Sequence, residues 1–499
     1  MTQKQEARLI DDILHASVTY AKNNAIVIGD DSFTYGELFQ KVRGIYAIVA
    51  KQKNNVIGIM AENKIETYAA ILAVLIAGKT YVIMHPSYPE KRNLHIARQA
   101  DITSVLHSQA LSPYFAEGIE WICVSSLSNS EPEIILPNSV SSENYAYIIF
   151  TSGSTGEPKG VPISHNNLNA FYNSYSKLNW KLDETDRMLQ MFELTFDVSV
   201  VSFLYPLTIG ACIYTVPSDG IKYLDVLSII DEHKLTFAAV APSVLRLAQP
   251  YFKEISLPSL KYLIVTAEAS DINLLSDFRF CAPNASFVNL YGPTEATIYC
   301  SSYLLPKENC KHHNSMAAIG KPFEGIDAII ADEEGNQLTS GEIGELWIDG
   351  PQIMDGYWND LEKSSACFGL GKDKKKYYKT GDLCWQDEDG DIIYCGRKDT
   401  QIKIQGFRIE LSEIEYQTKS FYENKSNAVV IPTYKENNCC ELHLVIEQPI
   451  GETKALEQYL KDRLPSYMLP KCIHFMETFP LNTNNKVDKK EIKSFITND

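Results

Sequence analysis

Residues 147–161 read YIIFTSGSTGEPKGV: an apolar run breaks into hydroxyls and glycines and closes on a lysine. The run continues YAYIIF from residue 145 and reads as a strand, so the polar loop falls where the strand ends, on a segment type that carries function. Gly153, Gly156 and Gly160 permit positive φ, which would turn successive N–H groups inward, and Thr151, Ser152, Ser154 and Thr155 add hydroxyl donors. Lys159 brings a cation, and Pro158 stiffens its approach. Such a loop suits a polyphosphate. It is not a Walker A loop, because no G-K-[ST] follows, and not a nucleophile elbow, because G-x-S-x-G is absent. Taken alone, its composition is also that of a polar surface loop.

Working outward, the flanking sequence alternates short β-rich runs with helical ones. VIGIMA, KIETYAAILAVLIAG, KTYVIM and ITSVLH come before the loop. RMLQMFEL, VSVVSFLYPLTIG, ACIYTV, YLDVLSIIDEHKL, TFAAVAP, LKYLIVTA and ASFVNLYG come after it. This alternation predicts βαβ units and two doubly wound, largely parallel sheets within the first 300 residues. Between about 317 and 394 the pattern changes to short strands separated by D-E-E-G-N and D-E-D-G, which are hairpin turn signals. A mixed α and β segment follows, with helices expected at LSEIEYQTKS and KALEQYLKDRL. The expected fold is α/β, with a core over 1–398 and a smaller α+β domain over 399–499.

At 499 residues and 45% hydrophobic content the chain has material for two or more globular units. A formal net charge of −17 disfavours extended contact with nucleic acid or an anionic membrane. No run of about 18 apolar residues occurs. The N-terminal stretch has acidic residues where a signal peptide would be bare and apolar, so a cytoplasmic protein with an amphipathic first helix is expected. The 11 cysteines form no C-x-x-C and stand in no ligand spacing with histidine, as expected of ordinary reduced thiols.

Several further stretches, in order, complete a series: AGKTYVIMHPSYPEKR at 77–92, FDVS at 196–199, NLYGPTEAT at 289–297, GEIGELWIDG at 341–350, YKTGD at 378–382, GRKDTQIKIQGFRIEL at 396–411 and NNKVDK at 484–489. With the loop at 147–161 they resemble the motifs of the adenylate-forming superfamily, which comprises acyl-CoA synthetases, luciferases and amino-acid adenylation domains. Stand-alone D-alanine:carrier-protein ligases and peptide-synthetase adenylation domains are the nearest in pattern. The resemblance covers most of the chain. It implies a large N-terminal domain of two sheets plus a small β-barrel, and a mobile C-terminal domain hinged at Asp399.

It also implies roles. Tyr291 would offer its ring to adenine, with Leu290 and Gly292 beside it, and Asn289 its amide to the base edge. Thr294 would offer a hydroxyl to phosphate, and Glu295 a hard carboxylate to Mg²⁺. Asp382 resembles the ribose-binding carboxylate, with Arg397 near ribose or phosphate and Tyr394 near the nucleotide. Thr151, Ser152, Gly153, Ser154, Thr155, Gly156 and Lys159 would hold the ATP phosphates. Lys486 would reach the reacting carboxylate and α-phosphate, where its charge offsets the charge of the transition state. Lys486, Thr151 and Glu295 are thus the expected catalytic residues. Read without the resemblance, NLYGPTE is a turn closing a strand, GRKD a hairpin end and Lys486 a solvated lysine.

Two positions depart from the pattern. Asn485 stands where a glycine is usual, and asparagine tolerates positive φ. His85 stands where relatives carry aspartate, and is read as structural.

Asp197 bears on the substrate. Ahead of an apolar helix it is either an N-cap or a buried carboxylate in need of a cation. In amino-acid-activating relatives the matching aspartate grips the α-ammonium. The matching pocket positions are Val198, Val201, Ala239, Ile264, Thr266, Leu290, Ile298 and Tyr299, none of them charged, which implies a neutral, small to medium side chain. The expected reaction is formation of an aminoacyl-AMP from ATP and transfer to the phosphopantetheine thiol of a carrier protein. Gly406 would line the thiol's approach. No carrier segment is found up to Asp499, so the carrier is expected to act in trans. An acyl-CoA or aryl-CoA synthetase and a silent binding protein are the alternatives.

Overall fold

In the computed structural model, which describes residues 9–108, 118–125, 127, 144–153, 157–217, 221–435, 440–481 and 487–498, the chain forms two compact units. The first comprises 1–85, 97–149 and 160–398, and the second 86–96, 150–159 and 399–499.

The first unit is built on two sheets. One has six strands, with Val56–Met60 and Thr80–Met84 at its centre, paired in parallel and buried at every position. A parallel strand covered on both faces must be apolar throughout, which is why VIGIM and TYVIM show no alternation. The connecting helix Ile65–Ile76 buries every residue except Glu66, which takes Lys41 Nζ at 2.7 Å. The other sheet has nine strands. Its parallel interior runs through Cys212–Thr215, Arg187–Gln190, Phe237–Val240, Tyr262–Val265 and Ser286–Tyr291, and antiparallel strands lie at its edges. The first helix, Leu9–Thr19, buries Leu9, Ile13, Ala16 and Ser17, the single stripe of an amphipathic helix.

The antiparallel part expected from 317 onward has five strands: Asp327–Ala331, Gly344–Asp349, Lys376–Gln386, Phe368–Leu370 and Ile392–Arg397. Both predicted turns are Asp-centred. The Asp332 carboxylate accepts from the N–H groups of Glu334 and Asn336, and that of Asp387 from Asp389 and Asp391.

The second unit has a three-stranded sheet, Ala428–Tyr434, Cys440–Glu447 and Cys472–Met476, antiparallel and then parallel. Val429, Ile431 and Val445 on one face meet Phe479, Ile492 and Ile496. A separate hairpin pairs Gln401–Ile404 with Phe407–Glu410. Gln405 and Gly406 turn it with φ of 51° and 83°, the double left-handed conformation of a two-residue hairpin.

No helix among the described residues is long and apolar enough to cross a membrane. The ten described cysteines are free thiols.

Candidate active site

In the first unit the expected nucleotide residues come from three strands. Strand Ser286–Tyr291 carries Asn289, Leu290 and Tyr291; strands Lys376–Gln386 and Ile392–Arg397 carry Asp382, Tyr394 and Arg397. The Tyr291 hydroxyl donates to one oxygen of Asp382, and Arg397 Nη1 donates to the other at 2.8 Å. Arg397 also reaches the Thr380 carbonyl at 3.2 Å, and Thr380 Oγ1 accepts the Asp382 N–H at 3.0 Å. The carboxylate is thus buried, charge-paired and fixed in direction. Burial, with the adjacent Asp382 charge, pushes the Tyr291 phenol well above its usual pKa.

A bulge makes this arrangement. Asp382 pairs with Arg397 and Leu383 with Gly396, but Cys384 pairs with Tyr394, so Cys395 is an extra residue. Without it, Tyr394 and Arg397 would point to opposite faces; with it they share one. Gly396 takes φ 134°, a value side chains rarely adopt.

Asn289 is buried with half its amide already used. Its Nδ2 donates to the Ala318 carbonyl at 2.9 Å and its Oδ1 accepts from Ser270 at 3.2 Å. One donor and one acceptor position remain.

The turn after this strand is tightly constrained. A Cβ at Gly292 would lie 2.5 Å from the Ile298 carbonyl oxygen, so only glycine fits. Thr294–Ala296 form a short 3₁₀ turn, after which Thr297 and Ile298 take φ of 56° and 74°. Left-handed backbone at a β-branched residue costs about 1–3 kcal/mol and persists only where neighbours enforce it. Gln352 does so. Its Nε2 donates at 2.6 Å to the carbonyls of both Ala296 and Tyr299, and its own carbonyl accepts from Thr297 Oγ1 at 2.5 Å. Glu295, fully buried, accepts from the Tyr357 hydroxyl at 2.9 Å. A carboxylate offers hard oxygen donors, the chemistry that Mg²⁺ takes.

The expected substrate positions gather in the same unit. Ala239 pairs with Ile264 and Ile264 with Val288, and Leu290 lies two residues further along the strand of Val288, so these face one side of the sheet, while Thr266 follows the end of strand Tyr262–Val265 and is buried. Val198, Val201, Ala239, Ile264, Leu290, Ile298 and Tyr299 belong to one buried cluster.

Asp197 occupies the N-cap position of helix Val198–Thr208, yet its side chain makes no cap hydrogen bond. It is 8% exposed. Its charge adds to burial in raising the phenol pKa values of Tyr81, Tyr147 and Tyr299. Tyr81 and Tyr147 are register partners with ring centroids 5.6 Å apart. The Tyr147 hydroxyl is buried without a hydrogen-bond partner. Sequence reasoning missed both tyrosines, although each lies in a stretch singled out for other reasons. It also missed Gln352, which carries no local signal.

The remaining expected residues lie in the second unit. Thr151 is buried, and its hydroxyl has no hydrogen-bond partner. The Ser152 hydroxyl donates to the Arg408 carbonyl at 3.1 Å and accepts from the Glu410 N–H at 3.0 Å, so here it joins its loop to the hairpin. The expectation that the loop glycines serve positive φ is corrected at two positions. Neither Gly153 nor Gly160 has positive φ; Gly153 is required for space, since a Cβ there would lie 2.1 Å from the Glu157 carbonyl oxygen. Lys159 opens strand Lys159–Ser164, and Asp399, the first residue after the boundary, accepts from the Gln401 N–H at 3.1 Å. Arg92 and Glu413 form a buried pair at 2.7 Å. Ser154, Thr155, Gly156 and Lys486 lie outside the described residues. His85 is half-buried; burial lowers its pKa and the Glu193 charge opposes the shift.

Residues 14–358 match the AMP-binding enzyme family. Tyrocidine synthase 3 of Brevibacillus parabrevis is 31% identical over 503 residues, 99% of this chain but only 7% of that protein. Gramicidin S synthase 1 of Brevibacillus brevis is 30% identical over 514 residues, 97% of this chain and 44% of that protein. The chain thus spans less than half the length of these relatives. Among solved structures, the Vibrio cholerae adenylation domain AlmE, in complex with glycyl-adenosine-5'-phosphate, superposes with a TM-score of 0.88 at 24% identity, covering 100% of this chain and 99% of AlmE. The likeness to AlmE is one of fold. With more than half its length matched by the family, the chain belongs to the AMP-binding enzymes, the adenylate-forming superfamily whose motif series it carries.

Proposed function

We propose that the chain activates an amino acid with a neutral, small to medium side chain. A substrate carboxylate oxygen bonds to the α-phosphorus of ATP, the bond to the bridging oxygen breaks, and pyrophosphate leaves. A carrier protein's phosphopantetheine thiol then displaces AMP from the aminoacyl-AMP, losing its proton as the thioester forms. Positioning and charge neutralisation carry such a reaction, and no protein nucleophile is required.

The observation that carries the amino-acid reading is the setting of Asp197. Its side chain does not cap the helix it begins, and it lies among buried tyrosines. A buried carboxylate at the head of the pocket positions is the charge complement of a substrate α-ammonium. The Tyr147 hydroxyl, buried without a hydrogen-bond partner, supports a polar group of substrate beside it. Fully buried Tyr299 takes up room among the pocket positions, which favours a small side chain.

In this reading Tyr291 and Asn289 receive the adenine, and Asp382 with Arg397 orients the ribose. Thr294 and the loop from Thr151 to Lys159 contact the phosphates. Mg²⁺ held by Glu295 supplies charge neutralisation at the phosphates. Lys486, on the resemblance alone, does the same for the developing charge at the α-phosphate.

Amino-acid-dependent exchange of pyrophosphate into ATP, measured over panels of D and L amino acids, tests the proposal. A subset of small neutral amino acids should support exchange, and Asp197→Asn should lower kcat/KM for them by about 100-fold or more, the scale of a lost buried charge pair. Exchange with fatty or aryl acids only would overturn the amino-acid reading, and loading of free coenzyme A but not of a carrier protein would overturn the second step.

A further inference from the structure

Among residues assigned to neither ATP nor amino acid, the sheet of the second unit brings together three soft or borderline metal-binding side chains. His443 lies on the central strand Cys440–Glu447, and Cys472 and His474 on Cys472–Met476. The strands run parallel, with His443 opposite Cys472 and Val445 opposite His474, so the period-two alternation puts all three side chains on one face. His443 Nδ1 lies 2.9 Å from His474 Nε2, and the ligand atoms of the three residues are all within 4.8 Å of one another. All three side chains are half-buried.

The face is rigid where they sit. Val445, two residues beyond His443, and Ile431, which pairs with His443, belong to the core closed by Ile492 and Ile496. A hydrogen bond between two neutral imidazoles accounts for the histidines, whose rings stack at 5.2 Å and 17°. It gives no reason for a thiol converging on the same point. Two imidazoles and a thiolate make a three-ligand zinc set, and the thiolate excludes Mg²⁺ and Ca²⁺ as preferred occupants.

We infer that His443, Cys472 and His474 form a binding site for a divalent transition metal of the zinc class, chemically distinct from the carboxylate site expected at Glu295. Zinc–nitrogen bonds of about 2.0 Å at tetrahedral angles separate two nitrogens by about 3.3 Å, so the two imidazoles need part by only about 0.4 Å to admit the ion. The Glu441 carboxylate, two residues before His443, is taken by Lys435 at 2.7 Å, which leaves the fourth position to water. The occupied site clasps the central strand to its neighbour. Sequence spacing hides it, because a long connection separates the two strands that the parallel pairing brings together.

The test uses the untagged 499-residue chain, stripped with a chelator and titrated with Co²⁺, followed by its visible bands and the thiolate-to-cobalt charge-transfer band. One equivalent should bind with the charge-transfer band, and Zn²⁺ should displace it. Cys472→Ser should lose that band. His443→Gln and His474→Gln should each weaken binding by at least about 100-fold, since even changes outside the ligand set cost about 10–100-fold. Circular dichroism establishes that each variant is folded; should one not be, Cys472→Ala takes the place of Cys472→Ser, and either histidine variant serves for the other. Absence of a charge-transfer band, or an unchanged band in the cysteine variant, overturns the inference.

Discussion

Asp382 receives both Tyr291 and Arg397, one on each carboxylate oxygen. Asp382→Asn keeps the shape but removes the charge that holds the guanidinium. Hydrogen bonds to charged groups contribute about 1.5–3 kcal/mol, so KM for ATP should rise by about 10–100-fold in steady-state assays, with kcat less affected. An unchanged KM would remove Asp382 from the nucleotide site. His165 makes a different, thermodynamic prediction. It is buried, its Nε2–H donates to the Lys79 carbonyl at 3.3 Å, and burial lowers its pKa from 6.5 to about 4. Above pH 6.5 the ring is neutral folded and unfolded, so its contribution is fully present there. As pH falls from 6.5 towards 4 the unfolded chain takes up a proton that the folded chain refuses, and up to about 3 kcal/mol is lost. Denaturant melts across that range should show a shallower decline for His165→Gln than for the wild type.

The segment from Gly292 to Tyr299 is where single residues combine into an element, and Gln352 is the residue that holds it. Gln352→Ala would strip the buried carbonyls of Ala296 and Tyr299 of their donor, at about 1–3 kcal/mol each, and release the left-handed conformation of Thr297 and Ile298. Because Glu295 and the expected pocket residues Ile298 and Tyr299 ride on this segment, the variant should melt earlier and lose kcat/KM for the amino acid as well. A lowered melting temperature with wild-type kcat/KM would separate the clamp from the site. This element also marks the limit of what the sequence reveals. The strands Val56–Met60 and Thr80–Met84 were legible because burial on both faces demands apolar residues at every position, and the hairpin turns because Asp and Gly are chemically required there. The motif series that marks the family is legible as words. The extra residue at Cys395 that aligns Tyr394 with Arg397, and the glutamine that holds a turn some fifty residues away in sequence, were not, because each depends on a partner that only the fold brings near. The space constraint at Gly153 belongs with them.

At the scale of the whole molecule, the division into two units leaves short segments of the N-terminal sequence, 86–96 and 150–159, grouped with the C-terminal hundred residues. Within that second unit the Arg92–Glu413 pair ties the first of these segments to helix Leu411–Phe421, with side chains only 5% and 1% exposed. Removing one partner of a buried pair strands the other charge and costs about 3–5 kcal/mol, whereas replacing both with apolar residues of similar volume is often close to neutral. Glu413→Leu and Arg92→Met should therefore each lower the melting temperature markedly, and the double variant should recover most of the loss in scanning calorimetry. The same three proteins separate stability from chemistry. If the pair matters only as a fastening, the double variant should adenylate like the wild type wherever it is folded. If the charges also orient Ser152 and Gly153, proposed to contact phosphate, pyrophosphate exchange should stay low in the double variant after its stability has returned. A double variant no more stable than either single one would mean that the charges are not the reason these two segments pack together.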